Sequence, residues 1–273
     1  MKIVLVNLFN HQDYILDNIA NLIRFRNNEI TVITDEIFVG KFPSTVTSIA
    51  VESLLPDYKE FTNKVADSFR NGFWQLASYR FRALLAYMKK YNAVDIIHLE
   101  NDVMVFENLD NISFHDRTKI LITMDSPNRC ITSIMFIPHF KILEHCMKCF
   151  QSQKNDMENW AISFNKNMDY VDTLPIGADN VLLFCKNVAY YNAIFDAAAI
   201  GQYLGGIDPR NTTLGKKTIG FVNETCIIDY SKFSFSWKPN IDNLMCPFVL
   251  IQNKEYPIIN LHVHSKNLKQ FMI

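Results

Sequence analysis

Apolar and polar positions alternate in two different ways along this chain. In the first third, short apolar runs typical of buried strands are separated by segments whose apolar residues recur at helical spacing. The predicted strands are 2–7, 30–34, 45–51 and 94–99, and the predicted helices are 13–25, 57–69 and 74–91. This pattern favours an α/β fold with a doubly wound, mostly parallel sheet flanked by helices, in which ligands bind at the carboxyl ends of the strands.

The pattern becomes less regular in the rest of the chain. Strands are predicted at 119–124, 130–137 and 181–184, helices at 140–150 and 188–201, and a glycine- and proline-containing loop at 204–211. The last apolar run begins at Ile258 and ends in a polar segment. No internal repeat or linker interrupts the chain, so we expect one domain.

The acidic triplet Glu100-Asn101-Asp102 follows the predicted strand 94–99, and the apolar residues 103–105 then resume the strand pattern. Carboxylates two positions apart on an extended backbone point to the same side. Carboxylate oxygens are the ligands that Mg²⁺ and Mn²⁺ prefer. A solvated turn is the alternative interpretation, but the apolar residues on both sides favour a metal site. Asn7 and Asp35 end neighbouring predicted strands and should lie at the same edge of the sheet.

The C-terminal segment offers a nitrogen ligand and a positive charge. His262 and His264 share a face of an extended segment, so one imidazole can complete a metal coordination shell. Lys266 can neutralise a phosphate as a point charge. Taken alone, the segment is more simply interpreted as a polar strand end. Together with the acidic triplet, it indicates a site for a metal ion and a diphosphate.

Three further residues are candidates for chemistry. Asp196 lies among small residues and is a candidate general base or a ligand of sugar hydroxyls. Asp179 precedes an apolar run and either faces an acceptor substrate or belongs to a helix N-cap or a turn. Arg80, on the helix before the acidic triplet, either reaches a phosphate or belongs to a solvated helix face.

Composition excludes several classes of function. The 273 residues are 49% hydrophobic, which is enough for one large core. The charge is nearly balanced, with 27 basic and 28 acidic residues. We therefore expect no nucleic-acid partner, since such proteins present a basic face. Without a sufficiently long apolar run we expect no membrane span, and the N-terminus becomes polar too soon for a secretory signal, which predicts a cytoplasmic protein. The missing glycine-rich phosphate loop and Gly-x-Ser-x-Gly motif argue against P-loop kinases, dinucleotide-dependent dehydrogenases and α/β-hydrolases.

In these motifs the chain resembles GT-A-type glycosyltransferases, and the resemblance spans nearly the whole sequence in order. The acidic triplet is similar to the family's Asp-x-Asp motif, with Glu100 in first place. Residues 131–138 resemble the strand that follows, 177–183 resemble an acceptor-side motif, and 262–266 look like the C-terminal His and Lys pair that closes over metal and diphosphate. The chain departs from the family at Thr132-Ser133, where Asn-Gly or Ser-Gly is usual, and the acceptor-side motif lacks its second acidic residue. The stereochemical outcome is therefore open.

The resemblance implies a single GT-A domain over 1–273, with a nucleotide-sugar-binding half of about 1–110 and an acceptor-binding half of about 111–273. It implies that Mn²⁺ or Mg²⁺ assists transfer of a sugar from a UDP- or GDP-sugar donor to a hydroxyl of a glycan or glycoconjugate acceptor. Asp102 would bind the ion directly, Glu100 directly or through water, and His264 from the far side, with His262 as the alternative. The implied donor-binding residues are Asn7, Asp35, Arg80, Glu100, Asn101 and Lys266, and the candidate bases are Asp196 and Asp179.

Two rival functions share parts of this pattern. A nucleotidyltransferase acting on a sugar phosphate would use the same metal and diphosphate chemistry, but the first loop, 7–12, lacks the glycine-rich sequence usual in such enzymes. A non-catalytic sugar-binding protein of the same fold would not need His264 and Lys266 beside an acidic pair. The oligomeric state, the donor and the acceptor stay open.

Overall fold

A seven-stranded mixed sheet forms the centre of the molecule in the computed structural model, which describes residues 1–65, 73–178, 182–210 and 219–273. Its strands are β1 (Lys2–Asn7), β2 (Ile30–Thr34), β3 (Thr47–Ala50), β4 (Ile96–Leu99), β6 (Ile120–Ile122), β9 (Ile134–Ile137) and β10 (Val171–Thr173). The strand order is β10-β6-β9-β4-β1-β2-β3, and β9 runs opposite to the other six strands.

Helices cover both faces of the sheet, which explains why its central strands are apolar on both sides. On one face, helix α1 (Tyr14–Arg24) packs Ile15, Ile19 and Leu22 onto the sheet, and on the other face helix α3 (Phe73–Tyr91) packs Phe81 and Leu84. The helices are α1 (Tyr14–Arg24), α2 (Tyr58–Val65), α3 (Phe73–Tyr91), α4 (Phe140–Met147), α5 (Asp156–Lys166), α6 (Val188–Tyr191) and α7 (Ala199–Gly205). The predicted α/β fold with a mostly parallel sheet flanked by helices is confirmed.

Within the described ranges, the remaining strands form three small sheets. The strands are β5 (Val103–Val105), β7 (Met124–Ser126), β8 (Arg129–Cys130), β11 (Ser234–Pro239), β12 (Met245–Ile251), β13 (Lys254–Pro257) and β14 (Asn260–His262). β7 pairs with β8, β11 to β13 form an antiparallel sheet, and β5 pairs antiparallel with β14. The apolar residues after the acidic triplet therefore do not resume β4 as the sequence suggested. They leave the central sheet and pair with the C-terminal strand, which brings His262 opposite Val103.

The predicted helix 188–201 is wrong in its middle. α6 ends at Tyr191, Asn192 adopts a left-handed backbone conformation with φ 47°, and α7 begins only at Ala199. Between them, residues 193–198 are buried and not helical. Their backbone bonds to other segments instead: the Ile194 N–H donates to the Pro257 carbonyl, and the Phe195 N–H donates to the Pro175 carbonyl. Tertiary hydrogen bonds outweigh the helix propensity of the alanines here.

Two other segments differ from the sequence prediction. The predicted strand 181–184 is a 3₁₀ turn at Leu183–Cys185, and Val181 lies outside the described residues. Helix α5 was not predicted, although Asn155 and Glu158 form a capping box at its start, which is a signal readable from sequence. None of the helices in the four described ranges combines the length and apolar character needed to cross a bilayer.

Candidate metal and diphosphate site

The acidic triplet lies in a tight turn at the carboxyl end of β4, next to the end of β1. The Val103 N–H donates to the Glu100 carbonyl at 3.1 Å, and the Glu100 N–H donates to the Ser133 carbonyl of the neighbouring segment at 3.0 Å. The turn therefore has a fixed backbone. Its two carboxylates are largely buried, with 19% of the Glu100 side chain and 6% of the Asp102 side chain exposed.

His262 reaches the acidic pair from β14. Its Nε2 atom lies 3.3 Å from Oε2 of Glu100 and 3.3 Å from Oδ2 of Asp102. One potential ligand atom from each of the three residues lies within 4.8 Å of the others. Two oxygens and one imidazole nitrogen thus converge from segments more than 150 positions apart in sequence, which is a donor set suited to a divalent ion.

The orientation of the His262 ring fits metal binding. Its Nδ1–H donates to the Ala197 carbonyl at 2.8 Å, which leaves Nε2 directed at the carboxylates. Burial lowers the pKa of His262, but Asp102 and Glu100 outweigh it and raise the pKa to about 10. The imidazole therefore carries a proton between the two carboxylates, and a divalent ion would replace that proton.

Arg80 binds the carboxylate oxygen of Glu100 that does not face His262. Its guanidinium lies 2.8 Å from Oε1 of Glu100 and 2.7 Å from Oδ2 of Asp156, and it donates to Thr132 Oγ1 at 2.9 Å. Burial raises the pKa of Glu100, but Arg80 and His262 outweigh it and hold this pKa well below its usual range. Glu100 is thus ionised, with one oxygen bound to Arg80 and the other facing His262.

Lys266 forms an ion pair with Oδ2 of Asp102, the oxygen that also faces His262. Its ammonium also lies 5.5 Å from the centre of the Tyr14 ring. Burial raises the pKa of Asp102, but Lys266 and His262 hold it well below its usual range. The Lys266 side chain is 25% exposed, so it is accessible to a ligand at the edge of the site.

His264 lies beside His262 but not in the group of three. The two rings are 4.3 Å apart, and His264 Nε2 is buried without a hydrogen-bond partner among the described residues. Burial and the charges of His262 and Lys266 hold the pKa of His264 well below its usual range. The structure therefore places His262 with the two carboxylates. His262 was the alternative to His264 as the metal ligand in the sequence analysis.

The other predicted donor-binding residues lie at the same edge of the sheet and have protein partners. Asn7 donates to Thr34 Oγ1 at 3.3 Å, and Asn101 donates to the Val6 carbonyl at 3.0 Å. Asp35 accepts a hydrogen bond from the Phe9 N–H at 2.6 Å. Their placement agrees with the expected edge, while their hydrogen bonds first of all hold the loops that surround it.

The two predicted bases lie in different situations. Asp196 is completely buried, and backbone N–H groups occupy its carboxylate oxygens. Asp179 lies outside the described residues.

Two residues that shape the site were not predicted. Asp156 holds Arg80, and its position at the start of α5 was readable from the capping box; the carbonyl of Ala197 has no signal in the sequence.

Comparison with known proteins gave likenesses only among solved structures. No family model and no curated protein matches this chain. The galactosyltransferase LgtC in complex with donor and acceptor sugar analogues is 12% identical, with 64% of this chain and 73% of that chain covered and a TM-score of 0.42. Mouse xyloside xylosyltransferase 1 is 11% identical over 64% of this chain and 84% of that chain, with a TM-score of 0.41. A cytidylyltransferase from Leptospira borgpetersenii is 12% identical over 64% and 75%, with a TM-score of 0.36.

Glycosyltransferases are thus among the solved structures to which this fold is similar, as the sequence resemblance implies. With TM-scores below 0.5, these likenesses do not decide between sugar transfer and nucleotidyl transfer. The choice between them depends on the residues of the site.

Proposed function

We propose that this protein is a metal-dependent glycosyltransferase that moves a sugar from a nucleoside-diphosphate sugar, with UDP or GDP as the carrier, to a hydroxyl of a glycan or glycoconjugate. One observation carries the proposal: Glu100, Asp102 and His262 offer three ligand atoms to one position, with the ammonium of Lys266 beside them. A divalent ion, Mn²⁺ or Mg²⁺, would be held by these three residues. When bound, it would neutralise charge developing on the departing diphosphate.

The protein's own residues would orient the donor. Lys266 would exchange its ion pair with Asp102 for a phosphate oxygen, since the ion then satisfies that carboxylate. Arg80 would keep Glu100 ionised and fixed, because its side chain is only 13% exposed and is bonded to both Glu100 and Asp156. Asn7, Asp35 and Asn101 would shape the nucleoside side of the cleft at the ends of the first strands.

Residues of about 1–110 would bind the donor, and residues of about 111–273 would bind the acceptor. Inverting transfer needs a carboxylate to take the acceptor's proton. Asp179 is our candidate, because the oxygens of Asp196 already accept three backbone hydrogen bonds. A cytoplasmic location stays a prediction.

The test is to incubate the protein with UDP-, GDP- and CMP-linked sugars, with and without Mn²⁺, and to identify the product released. The proposal predicts release of a nucleoside diphosphate that needs the metal and is lost in Asp102→Ala. Asp242→Ala is the matched control, since Asp242 pairs with Arg26 on the surface, outside the site. Pyrophosphate release from a nucleotide and a sugar phosphate would contradict the proposal in favour of nucleotidyl transfer. Sugar binding without turnover would indicate a binding protein.

A further inference from the structure

The buried segment 193–198 carries a charged residue whose purpose the proposed function does not explain. Asp196 is 0% exposed, and its Oδ1 accepts the Ile200 N–H at 3.0 Å. Its Oδ2 accepts the Gly201 N–H at 2.8 Å and the His262 N–H at 3.0 Å. Burial of a carboxylate is costly unless donors compensate it, and here three backbone donors offset part of that cost. Both oxygens are therefore engaged inside the protein.

One of these hydrogen bonds, and one from the next residue, hold the proposed metal ligand His262. Asp196 holds the main chain of His262, and the next residue, Ala197, holds the His262 ring through its carbonyl at 2.8 Å. One short segment thus fixes both the backbone position and the ring orientation of a proposed metal ligand. The carboxylate also joins the first turn of α7 to β14, since it binds Ile200 and Gly201 as well.

The segment is itself held from two further directions. The Asp196 carbonyl accepts a hydrogen bond from Asn260 Nδ2 at 2.8 Å and another from Ser133 Oγ at 2.6 Å. Asn260 belongs to the same strand as His262, and the Ser133 carbonyl binds the Glu100 N–H. Ser133 therefore links the segment that supports the imidazole to the turn that supplies the carboxylates.

We propose that Asp196 is a positioning residue that sets the affinity of the site for a divalent ion by fixing His262, and that it does not act as the base of the reaction. A base needs an oxygen that can reach the acceptor hydroxyl, and both Asp196 oxygens are occupied in the core. Residues that orient a metal-binding histidine typically contribute about 10- to 100-fold to metal affinity. This inference uses the metal site of the proposed function but not its sugar chemistry.

The experiment measures Mn²⁺ binding to Asp196→Asn by electron paramagnetic resonance. The substitution keeps the shape but replaces one acceptor oxygen by an NH₂ group that faces N–H donors. We expect the dissociation constant for Mn²⁺ to rise about 10- to 100-fold. If the protein turns over a donor, kcat at saturating Mn²⁺ should stay near the wild-type value. Asp172→Asn is the matched control: Asp172 is also a largely buried carboxylate, bound to His115 and Lys186 at the sheet's outer strand. It should lower the melting temperature without changing Mn²⁺ affinity.

Ser133→Ala serves as the second variant in case Asp196→Asn does not fold. It removes one hydrogen bond to the same segment and keeps the charge, so we expect a smaller increase in the Mn²⁺ dissociation constant. Unchanged Mn²⁺ affinity in Asp196→Asn or, if that variant is unfolded, in Ser133→Ala overturns the inference. So does an equal loss of affinity in Asp172→Asn, which would show a general effect of stability. Mn²⁺ binding needs no donor, so a wild type that binds Mn²⁺ but turns over no nucleotide sugar refutes the proposed function alone.

Discussion

Gly201 lies where helix α7 closely approaches β14, and its replacement by alanine should disturb the proposed metal site from a distance. A Cβ atom at this position would lie 2.7 Å from the His262 carbonyl carbon, closer still to the carbonyl oxygen, and 3.0 Å from Oδ2 of Asp196. Two of these three atoms belong to backbone, which cannot rotate away as a flexible side chain does. Either α7 or β14 must therefore shift, and the shift moves His262.

The magnitude follows from two opposing contributions. Alanine in a helix is favoured over glycine by up to about 1 kcal/mol. Overpacking of a closely packed core costs about 1–3 kcal/mol, and a contact with fixed backbone lies at the upper end of this range. We therefore expect Gly201→Ala to lower the free energy of unfolding by about 2 kcal/mol, which corresponds to a fall in melting temperature of about 4–8 °C for a chain of this size.

Calorimetry and a Mn²⁺ titration of the same samples check this reasoning. Gly40→Ala is the control, because Gly40 is exposed in a 3₁₀ turn and a Cβ there meets nothing within 4 Å. The control should keep the wild-type melting temperature and Mn²⁺ affinity, whereas Gly201→Ala should lower the first and weaken the second about tenfold through displacement of His262. If Gly201→Ala is as stable as Gly40→Ala and its Mn²⁺ affinity is unchanged, the close approach of α7 to His262, the proposed metal ligand, is refuted.

Three further predictions concern charge. Because His262, with a pKa raised to about 10, must lose its proton to bind an ion, Mn²⁺ affinity should rise about tenfold per pH unit between pH 7 and pH 8.5; a flat profile in a Mn²⁺ titration would contradict this. Burial raises the pKa of Asp125 from 3.8 to about 6, although the charge of Arg129 opposes the rise. The contribution of the protonated Asp125 to the free energy of unfolding is therefore fully present below pH 3.8 and is lost as the pH rises through 6. Asp125→Asn should therefore be about 3 kcal/mol more stable than wild type at pH 8 and equally stable at pH 4 in urea unfolding. A less stable variant at pH 8 would contradict the sign. Lys266→Met should weaken binding of a nucleoside diphosphate with Mn²⁺ about 10- to 100-fold in calorimetric titration, whereas unchanged affinity would exclude the lysine from phosphate binding.

The first half of the fold could be predicted from sequence because its pattern is local. β1, β2 and β4 are apolar runs that pair parallel with one another in the order β4-β1-β2, and α1 and α3 carry apolar residues at regular helical spacing. The edge of the sheet at which the acidic triplet lies follows from the direction of these strands.

The second half could not be predicted in the same way because its structure depends on distant partners. Residues 193–198 contain alanines that favour a helix, yet their backbone bonds to Pro175 and to the segment before β14. The pairing of β5 with β14 likewise joins segments whose relation no local pattern shows. The acidic pair and the C-terminal histidines could be recognised from the sequence, whereas the Ala197 carbonyl that orients the His262 ring could not.

The choice between the two histidines shows the same limit at one residue. His262 and His264 share a face only if the chain stays extended between them. β14 ends at His262, and the His264 N–H donates to the His262 carbonyl at 3.1 Å, so the chain turns there. Only His262 then lies between the two carboxylates. The end of a strand is the feature that sequence periodicity locates least well.

Crystals soaked in Mn²⁺ and a nucleoside diphosphate provide the decisive measurement, through the anomalous signal of the ion. We expect one strong anomalous peak per chain, in coordinating contact with Glu100, Asp102 and Nε2 of His262 and next to a phosphate oxygen that Lys266 contacts. No peak at this position, or a peak that persists unchanged in His262→Ala crystals, would contradict the convergence of the strand turn and the C-terminal strand on a single ion.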